Sequence, residues 1–278
     1  MTRVRAVRAG RWLGAAACAA LLGAGHPAGR GPGTDRAAAP PRTLDVFAAA
    51  SLTRAFTELA DTLRRRTPGL VVRFNFAGSQ QLVLQIRQGA AADVFASADR
   101  RWMAALQDSG LVEGTPRIFA HNRLIVIAPA TTTVARLQDL ARPGVKLVLA
   151  TDAVPVGRYA RQALHDLSTL PGFGADFDRR AVANVVSNEE DVKAVVAKVQ
   201  LGEADAGIVY VSDVTPAVAP RVKRIFVPDA ANVIADYPVA VLRHARDPED
   251  ARAFVALLLS PAGQAVLRAN GLVGAAGD

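Results

Sequence analysis

The chain has 278 residues, 51% of them hydrophobic, which is enough for one large or two modest domains with apolar cores. Its formal net charge is +8, but seven arginines and one aspartate within residues 1–42 supply +6 of that charge. Residues 43–278 therefore carry only +2, and a nucleic-acid-binding function loses its main support.

The N-terminal segment has the layout of a secretory signal peptide. Four arginines precede an apolar run from Trp12 to about Ala24, and Gly, Pro and Arg residues follow. The run is too short and too rich in alanine for a good membrane span. We expect a signal peptide over residues 1–25, a Pro/Gly/Ala-rich tether over 26–42, and export of the protein.

The single cysteine, Cys18, lies inside this apolar run. The usual leucine three residues before a lipid-attachment cysteine is missing, and Leu21 and Leu22 continue the run beyond it. We therefore expect no lipid anchor, and a mature protein with no cysteine and no disulfide.

From residue 43 onward, short apolar runs alternate with helical patterns, which is typical of an α/β fold with parallel strands. The first strands are LDVF, LVVRFNF and ADVFAS, followed by helices predicted over 52–66, about 80–88 and 99–108. The next strands are RLIVIAP, KLVLA, VANVV, ADAGIVY and RIFVP, with helices near 134–141, over 157–168 and over 190–200. The chain then has the strand YPVAVLR and two helices, DPEDARAFVALLLS and SPAGQAVLRANGLV.

Two long strand-like segments, 117–128 and 232–243, each have a polar break, as expected where a chain crosses between lobes and returns. One open sheet with this many strands would be unusual. We predict a two-lobed α/β fold in which each lobe is a mainly parallel sheet flanked by helices. Lobe 1 would comprise 43–121 and 238–278, and lobe 2 would comprise 122–237.

Two serines each follow a predicted strand and small residues at the start of a helix. Ser51 lies in AAASL, and Ser79 follows Ala77 and Gly78. Either serine alone is an ordinary helix N-cap. However, parallel strands deliver both to one carboxyl edge of the sheet, where α/β proteins bind ligands, so an anion site at these helix N-termini is an equal alternative.

The second half of the chain offers similar positions. Pro155 and Gly157 surround Val156 before a helix, so the amides of Val156 and Gly157 are expected to be free first-turn donors. The residues 187–190 form a capping-box pattern, and GIVY ends a buried-type strand at Tyr210. Taken singly, each is an ordinary helix start or a strand-end aromatic.

Taken together, these segments resemble a known family. AAASL, FAGS, GAAADVFASAD with the W-M helix after it, VPVGRYA, EDV and GIVYVSD, in this order and spacing, resemble the ModA-type periplasmic molybdate-binding proteins of bacterial ABC transporters. The resemblance runs from about Leu44 to the C-terminal helix. AAASL or ADVFASAD alone is shared with broader sulfate-type binding proteins, whereas the full set with GIVY is quite specific.

The resemblance implies a two-lobed periplasmic binding protein (type II) fold, with two hinge crossovers, that closes on one tetrahedral oxyanion. Ser51 and Ser79 would donate hydroxyl and backbone N–H groups from lobe 1. In lobe 2, Val156 and Val192 would donate backbone N–H groups and Tyr210 its hydroxyl. The implied ligand is molybdate or tungstate, contacted as an oxyanion without direct metal ligands. No cofactor, a membrane permease as partner, and a monomeric state are also expected.

Two local features depart from a simple oxyanion site. The family often has alanine where this chain has Val156, and the extra bulk is expected to adjust the size of the pocket. The acids Glu189, Glu190 and Asp191 lie beside Val192 and would oppose a dianion. We expect them to point to solvent as first-turn carboxylates that complement the helix dipole.

Two other functions compete with molybdate binding. The first is binding of another tetrahedral oxyanion, such as sulfate, at a similar site. The second is an exported hydrolase with Ser51 or Ser79 as nucleophile, but no G-x-S-x-G elbow is present and no pattern places a histidine beside either serine. The sequence also shows no cluster of metal-ligand residues. We therefore expect a binding protein rather than an enzyme.

Overall fold

The computed structural model describes residues 42–275, and the structural statements below concern that part of the chain. The predicted signal peptide, Cys18 and all but the last residue of the predicted tether lie outside it. Within residues 42–275, no helix combines the length and apolar character that a bilayer crossing would require.

Strands and helices alternate along most of the described chain. The first part comprises β1 (Arg42–Ala49), α1 (Thr53–Arg66), β2 (Leu70–Ala77), α2 (Ser79–Arg87), β3 (Val94–Ala96), α3 (Arg100–Asp108) and β4 (Arg117–Asn122). The middle part comprises β5 (Leu124–Pro129), β6 (Leu147–Ala150), α4 (Pro155–Ser168), α5 (Phe177–Ala183), β7 (Val185–Glu189), α6 (Val192–Gln200), β8 (Ala206–Tyr210) and β9 (Val222–Phe226). The last part comprises β10 (Ala235–Val241), α7 (Pro248–Leu259), α8 (Pro261–Ala269) and β11 (Val273–Gly274).

The strands form two separate sheets. The first has six strands in the order β11-β4-β10-β3-β1-β2, and the second has five in the order β7-β6-β8-β5-β9. We call the first sheet with α1, α2, α3, α7 and α8 lobe 1, and the second sheet with α4, α5 and α6 lobe 2. The two-lobed α/β fold is as predicted.

The sheets are mixed rather than mainly parallel. β1 pairs in parallel with β2 and β3, and β6 pairs in parallel with β7 and β8, as the alternation of strands and helices indicated. The strands next to the crossovers, β4, β5 and β10, instead pair antiparallel with their neighbours. Two neighbouring strands can pair in parallel only if a crossover, usually a helix, connects them. A strand that the chain enters directly from the other lobe lacks such a crossover.

The chain passes between the sheets at two places. The first is Arg123, between β4 and β5, within the predicted break of the segment 117–128. The second lies between Phe226 and Ala235, before β10, and not in the middle of the segment 232–243. The predicted lobe boundaries, at 121/122 and 237/238, thus fall within β4 and β10, both of which pair entirely within the first sheet.

Three predicted elements differ from the structure. The segment VANVV, predicted as a strand, contains the end of α5, and the strand β7 begins only at Val185. The helix predicted near 134–141 is a short 3-10 turn, Leu137–Ala141. The capping-box pattern at 187–190 does not cap α6, because Ser187 to Glu189 belong to β7 and Asp191 is the N-cap.

The core of lobe 1 contains a group of aromatic side chains between the sheet and α1 and α7. Phe56 on α1 is fully buried, and its ring centroid lies 5.4 Å from that of Phe254 and 5.7 Å from that of Phe119. Burial of each such ring stabilises the fold by roughly 1.5–3 kcal/mol. Because this core fixes α1 against the sheet, it also fixes the short turn that precedes α1.

Candidate anion-binding site between the lobes

A small cavity lies where the carboxyl ends of strands from both sheets face each other. It encloses about 220 Å³ of empty space, including the part open to solvent. Only about 10 Å³ of it can hold the centres of water-sized spheres, which favours a compact ligand. Its lining consists of Ala49, Ala50, Ser51, Ala77, Gly78, Ser79, Ala98, Val154, Pro155, Val156, Asp191, Val192 and Tyr210. The structure thus brings together all five residues that the resemblance implicated.

The lobe 1 wall depends on the register of two parallel strands. Ala49, at the end of β1, is paired with Ala77, at the end of β2. Ser51 and Ser79 each come two residues later, so both reach the same edge of the sheet. Ala49 and Ala50 are nearly fully buried and Ala77 is partly buried, and their small size lets the strand ends and helix starts pack closely there.

The Ser79 hydroxyl is held by the neighbouring strand-to-helix connection. Its Oγ accepts a hydrogen bond from the Ala98 N–H at 3.1 Å, and the residue is only 1% exposed. The oxygen is therefore already used as an acceptor, and its proton can be donated into the cavity.

A chain of buried hydrogen bonds orients the Ser51 hydroxyl. Asn122 Oδ1 accepts from the Arg123 N–H, so Asn122 Nδ2 is the group that faces the Tyr237 hydroxyl, at 3.3 Å. The Tyr237 oxygen lies 2.9 Å from Ser51 Oγ. The Asn122 amide nitrogen can only donate, and Ser51 Oγ is the other described partner of the Tyr237 hydroxyl, so we infer that the Tyr237 proton is directed to Ser51. Burial raises the pKa of Tyr237 far above its ordinary value, so it keeps this proton, and the Ser51 proton is left for the cavity.

The start of α4 supplies the first part of the lobe 2 wall. Val154 is the N-cap and has no side-chain acceptor, and Pro155 has no N–H, so the Val156 amide is the first free donor of the helix. Gly157 has a steric role: a Cβ there would lie 2.0 Å from the Thr151 carbonyl oxygen and 2.4 Å from that of Ala150. Only glycine lets this helix start pack directly on the end of β6.

The start of α6 supplies the second part. The Asp191 side chain accepts hydrogen bonds from the backbone N–H groups of Lys193 and Ala194, at 2.7 and 3.0 Å. This cap uses the second and third amides of the helix and leaves the amide of Val192, the first residue, without an intrahelical or capping acceptor.

The Tyr210 side chain is the most informative group in the cavity. It is 1% exposed, its ring packs edge-on against that of Tyr237 at 5.9 Å, and its hydroxyl has no hydrogen-bond partner among residues 42–275. A buried hydroxyl without a partner is unfavourable by about 1–3 kcal/mol. Burial also raises its pKa well above the ordinary value, so the group remains a neutral donor.

The charges around the cavity are arranged so that no cation lines it. Asp191 is the one charged residue of the described lining, and its Oδ1 accepts both hydrogen bonds of the cap. Lys193 is paired with buried Asp213 at 3.0 Å, and Lys198 with Glu189 at 2.8 Å. The expectation that all three acids point to solvent holds for Glu190 and is wrong for Glu189 and Asp191. In residues 42–275, no group of His, Cys, Asp or Glu side chains is placed to hold a metal ion.

Three hydrogen bonds join the lobes around the cavity, so the structure is in a closed arrangement. They are Trp102 Nε1 to the Ala153 carbonyl oxygen at 2.9 Å, Gln80 Nε2 to the Glu190 carbonyl oxygen at 2.9 Å, and Arg158 Nη2 to Asp99 Oδ2 at 3.2 Å. Gly78 lies in the same contact, because a Cβ on it would be 2.5 Å from the Glu190 carbonyl oxygen.

Comparison with known proteins identifies the family. Residues 44–273 match the family of bacterial extracellular solute-binding proteins. The chain is also 38% identical, over 93% of its length and 92% of the other, to the molybdate-binding protein ModA of Mycobacterium tuberculosis. The chain is a ModA-type member of the bacterial extracellular solute-binding family.

Two solved structures support the fold of this ModA-type protein but not its ligand. The periplasmic molybdate-binding protein of Azotobacter vinelandii has a TM-score of 0.72 at 22% identity, covering 83% of this chain and 98% of that one. The sulfate-binding protein SubI of Mycobacterium tuberculosis has a TM-score of 0.75 at 16% identity, covering 84% and 87%. Proteins named for different oxyanions therefore share this fold.

Sequence reasoning missed three residues of this ModA-type site. Tyr237 contacts Ser51 across 186 residues of sequence, and nothing local in YPVAVLR indicated a role. The sequence predicts Asp191 as a solvent-facing acid of the first turn, although an Asp directly before Val192 is itself a good N-cap signal. In the sequence, Gly78 is only a small residue between a strand and a helix, whereas its importance depends on its contact with the facing lobe.

Proposed function

We propose that this protein binds molybdate, and tungstate with it, and delivers the anion to the permease of an ABC transporter. The observation that carries the proposal is the buried Tyr210 hydroxyl, which has no partner in the described chain and lines a cavity otherwise supplied with neutral donors. The similarity to ModA of Mycobacterium tuberculosis supports the choice of anion.

The donors suit an anion that is fully ionised. Ser51, Ser79 and Tyr210 would give O–H donors, and Val156 and Val192 would give N–H donors at helix N-termini, where the helix dipole favours negative charge. Such groups avoid the large desolvation cost of burying an arginine or lysine with the ligand.

The site also offers few free acceptors for a protonated anion. The oxygens of Ser51 and Ser79 already accept hydrogen bonds inside lobe 1, from Tyr237 and from the Ala98 N–H. The O–H of a protonated phosphate would therefore meet mostly donors, and an O–H that is left unpaired costs about 1–3 kcal/mol. We infer that the site favours molybdate, tungstate and sulfate over phosphate.

Discrimination against sulfate must come from size, because sulfate has the same charge and shape with shorter bonds. The walls are set by close backbone packing, as at Gly157, and by buried side chains, so they cannot shrink freely around a smaller anion. A sulfate would then fail to reach all the donors at once. Molybdate and tungstate are nearly equal in size, and we expect little discrimination between them.

The remaining features of the proposal follow from the family. We propose that the protein acts in the periplasm after removal of the N-terminal segment, works as a monomer and binds without catalysing a reaction. Sulfate binding is the alternative. A serine hydrolase has no support in the structure, since neither Ser51 nor Ser79 has a histidine partner among the described residues.

Thermal unfolding with each anion tests the proposal. A ligand that binds only the folded state raises the unfolding midpoint by an amount set by its concentration relative to its Kd. Molybdate and tungstate, added separately, should raise the midpoint strongly, and sulfate and phosphate should raise it little. An equal rise with sulfate would support the alternative, and no rise with any anion would refute oxyanion binding.

A further inference from the structure

We propose that Arg158 is an affinity-determining residue, which latches the closed lobes through an ion pair with Asp99. The inference rests on the proposed function, because it concerns how the lobes are held over the bound anion. Neither residue lines the cavity, and neither contacts the anion in this proposal.

Asp99 is placed to serve both lobes at once. It is the N-cap of α3, where its Oδ1 accepts the Trp102 backbone N–H at 2.9 Å. Its Oδ2 lies 3.2 Å from Arg158 Nη2 in lobe 2. The Asp99 side chain is 1% exposed and that of Arg158 is 33% exposed, so the pair is largely shielded from water. A charge pair in such a position is worth more than one on the surface.

Arg158 is held in lobe 2 ready for this contact. Its guanidinium carbon lies 4.4 Å from the centroid of the Tyr159 ring, within the range of a cation–π interaction. Burial, and after it the charge of Asp99, raise the pKa of Tyr159 to about 12, so this ring stays neutral under the guanidinium. Little side-chain freedom then remains to be lost when the lobes close.

A second hydrogen bond joins the same two helix starts. The Trp102 indole, on α3, donates to the Ala153 carbonyl oxygen, two residues before α4 begins. The latch therefore acts on the helix start that carries the Val156 amide. Opening the lobes would break both contacts together.

A simpler explanation for any effect of Arg158 is its charge alone. A nearby cation attracts a dianion without any latch, and a nearby carboxylate repels it. The two explanations predict opposite signs at Asp99. If charge alone matters, Asp99→Asn should tighten anion binding; if the latch matters, it should weaken binding. The asparagine Oδ1 can still accept the Trp102 amide, so the helix cap is kept.

The experiment measures molybdate binding and dissociation for wild type, Arg158→Gln, Asp99→Asn and the double variant. Arg252→Gln is the matched control, because Arg252 pairs with Glu113 at 2.7 Å within lobe 1. Each latch variant should bind roughly three- to tenfold more weakly, mainly through faster dissociation. This loss lies between those of a fully exposed and a fully buried ion pair, because the Arg158 side chain is still 33% exposed. The double variant should match the single variants, and the control should match wild type.

Small-angle X-ray scattering of the ligand-free proteins gives a readout that does not depend on the anion. Arg158→Gln should shift the population toward the open, larger form relative to wild type. Unchanged affinities, tighter binding by Asp99→Asn, or equal radii of gyration for wild type and Arg158→Gln would each overturn the latch. If wild type binds none of the oxyanions while Arg158→Gln is more open, the proposed function fails and the latch stands.

Discussion

Replacing Tyr210 with phenylalanine tests the site through two effects of opposite sign. The hydroxyl is buried and has no partner among residues 42–275, so the ligand-free fold gains nothing from it. The variant keeps the ring and its edge-on contact with Tyr237, at 5.9 Å between centroids. The stability of the ligand-free protein should therefore be unchanged or higher by up to about 1 kcal/mol.

The affinity for molybdate should fall at the same time. A hydrogen bond to a charged acceptor is worth about 1.5–3 kcal/mol, which corresponds to roughly a 10- to 150-fold increase in Kd. Isothermal titration calorimetry gives the Kd, and urea unfolding without ligand gives the stability. A Kd within about twofold of wild type, or a loss of more than about 1 kcal/mol in ligand-free stability, would refute the proposed role of the hydroxyl.

Tyr237→Phe is the matched control for this experiment. Its hydroxyl is hydrogen-bonded to Ser51 and Asn122 inside lobe 1, at 2.9 and 3.3 Å. Losing it should leave the buried Asn122 amide with one partner fewer and lower the ligand-free stability by about 1 kcal/mol. Equal stability changes in Tyr210→Phe and Tyr237→Phe would contradict the claim that only the Tyr237 hydroxyl stabilises the ligand-free fold.

Three further predictions concern the same cavity. Ser79→Ala should weaken molybdate binding by roughly 10- to 100-fold, as measured by calorimetry. Unlike Tyr210→Phe, it should also lower ligand-free stability in urea unfolding by about 1 kcal/mol, because the Ala98 N–H loses its acceptor. Gly78→Ala should leave ligand-free stability nearly unchanged, since φ −60° and ψ 140° suit alanine, but should raise Kd about tenfold by pressing its Cβ against the Glu190 carbonyl oxygen when the lobes close. The Kd for molybdate should be flat from pH 7 to about pH 10, because the pKa of Tyr210 is raised well above 10.0 and the phenol stays a donor below it.

One experimental result would contradict each of these three predictions. A Ser79→Ala variant as stable as wild type would show that the Ala98 amide does not depend on the serine. Wild-type affinity in Gly78→Ala would mean that the lobes need not approach this closely. A loss of affinity with a midpoint below pH 10 would point to a titrating group at the site other than Tyr210.

Much of the fold was predictable because it depends on local patterns. The alternation of apolar strands with amphipathic helices predicted most elements. The polar break in the segment 117–128 favoured a crossover there. What failed depended on partners far away in sequence. β7 pairs with β6, with Ser187 opposite Val148 and Glu189 opposite Ala150. The residues that a capping box would need therefore belong to a strand, and Asp191 is the N-cap of α6 instead.

The second crossover and the segment VANVV show the same limit. β10 pairs with β3 and β4 along its whole length, which keeps residues 235–241 in lobe 1 despite the polar residues at its start. In VANVV, the helix α5 extends to Ala183 because Phe177 and Ala181 are buried against lobe 2, whereas β-branched valines alone suggested a strand. Tyr237 could not be assigned to the site, because its link to Ser51 exists only in the folded protein.

A crystal structure of the protein with molybdate, with the anomalous signal of molybdenum, tests the central claim most directly. The anion should occupy the cavity as a single tetrahedral species. Its oxygens should lie within hydrogen-bond distance of the Ser51, Ser79 and Tyr210 hydroxyls and of the Val156 and Val192 amides. A peak elsewhere, for example in the cleft lined by Arg54, Arg224 and Arg268, would contradict the claim that neutral donors between the lobes hold the anion.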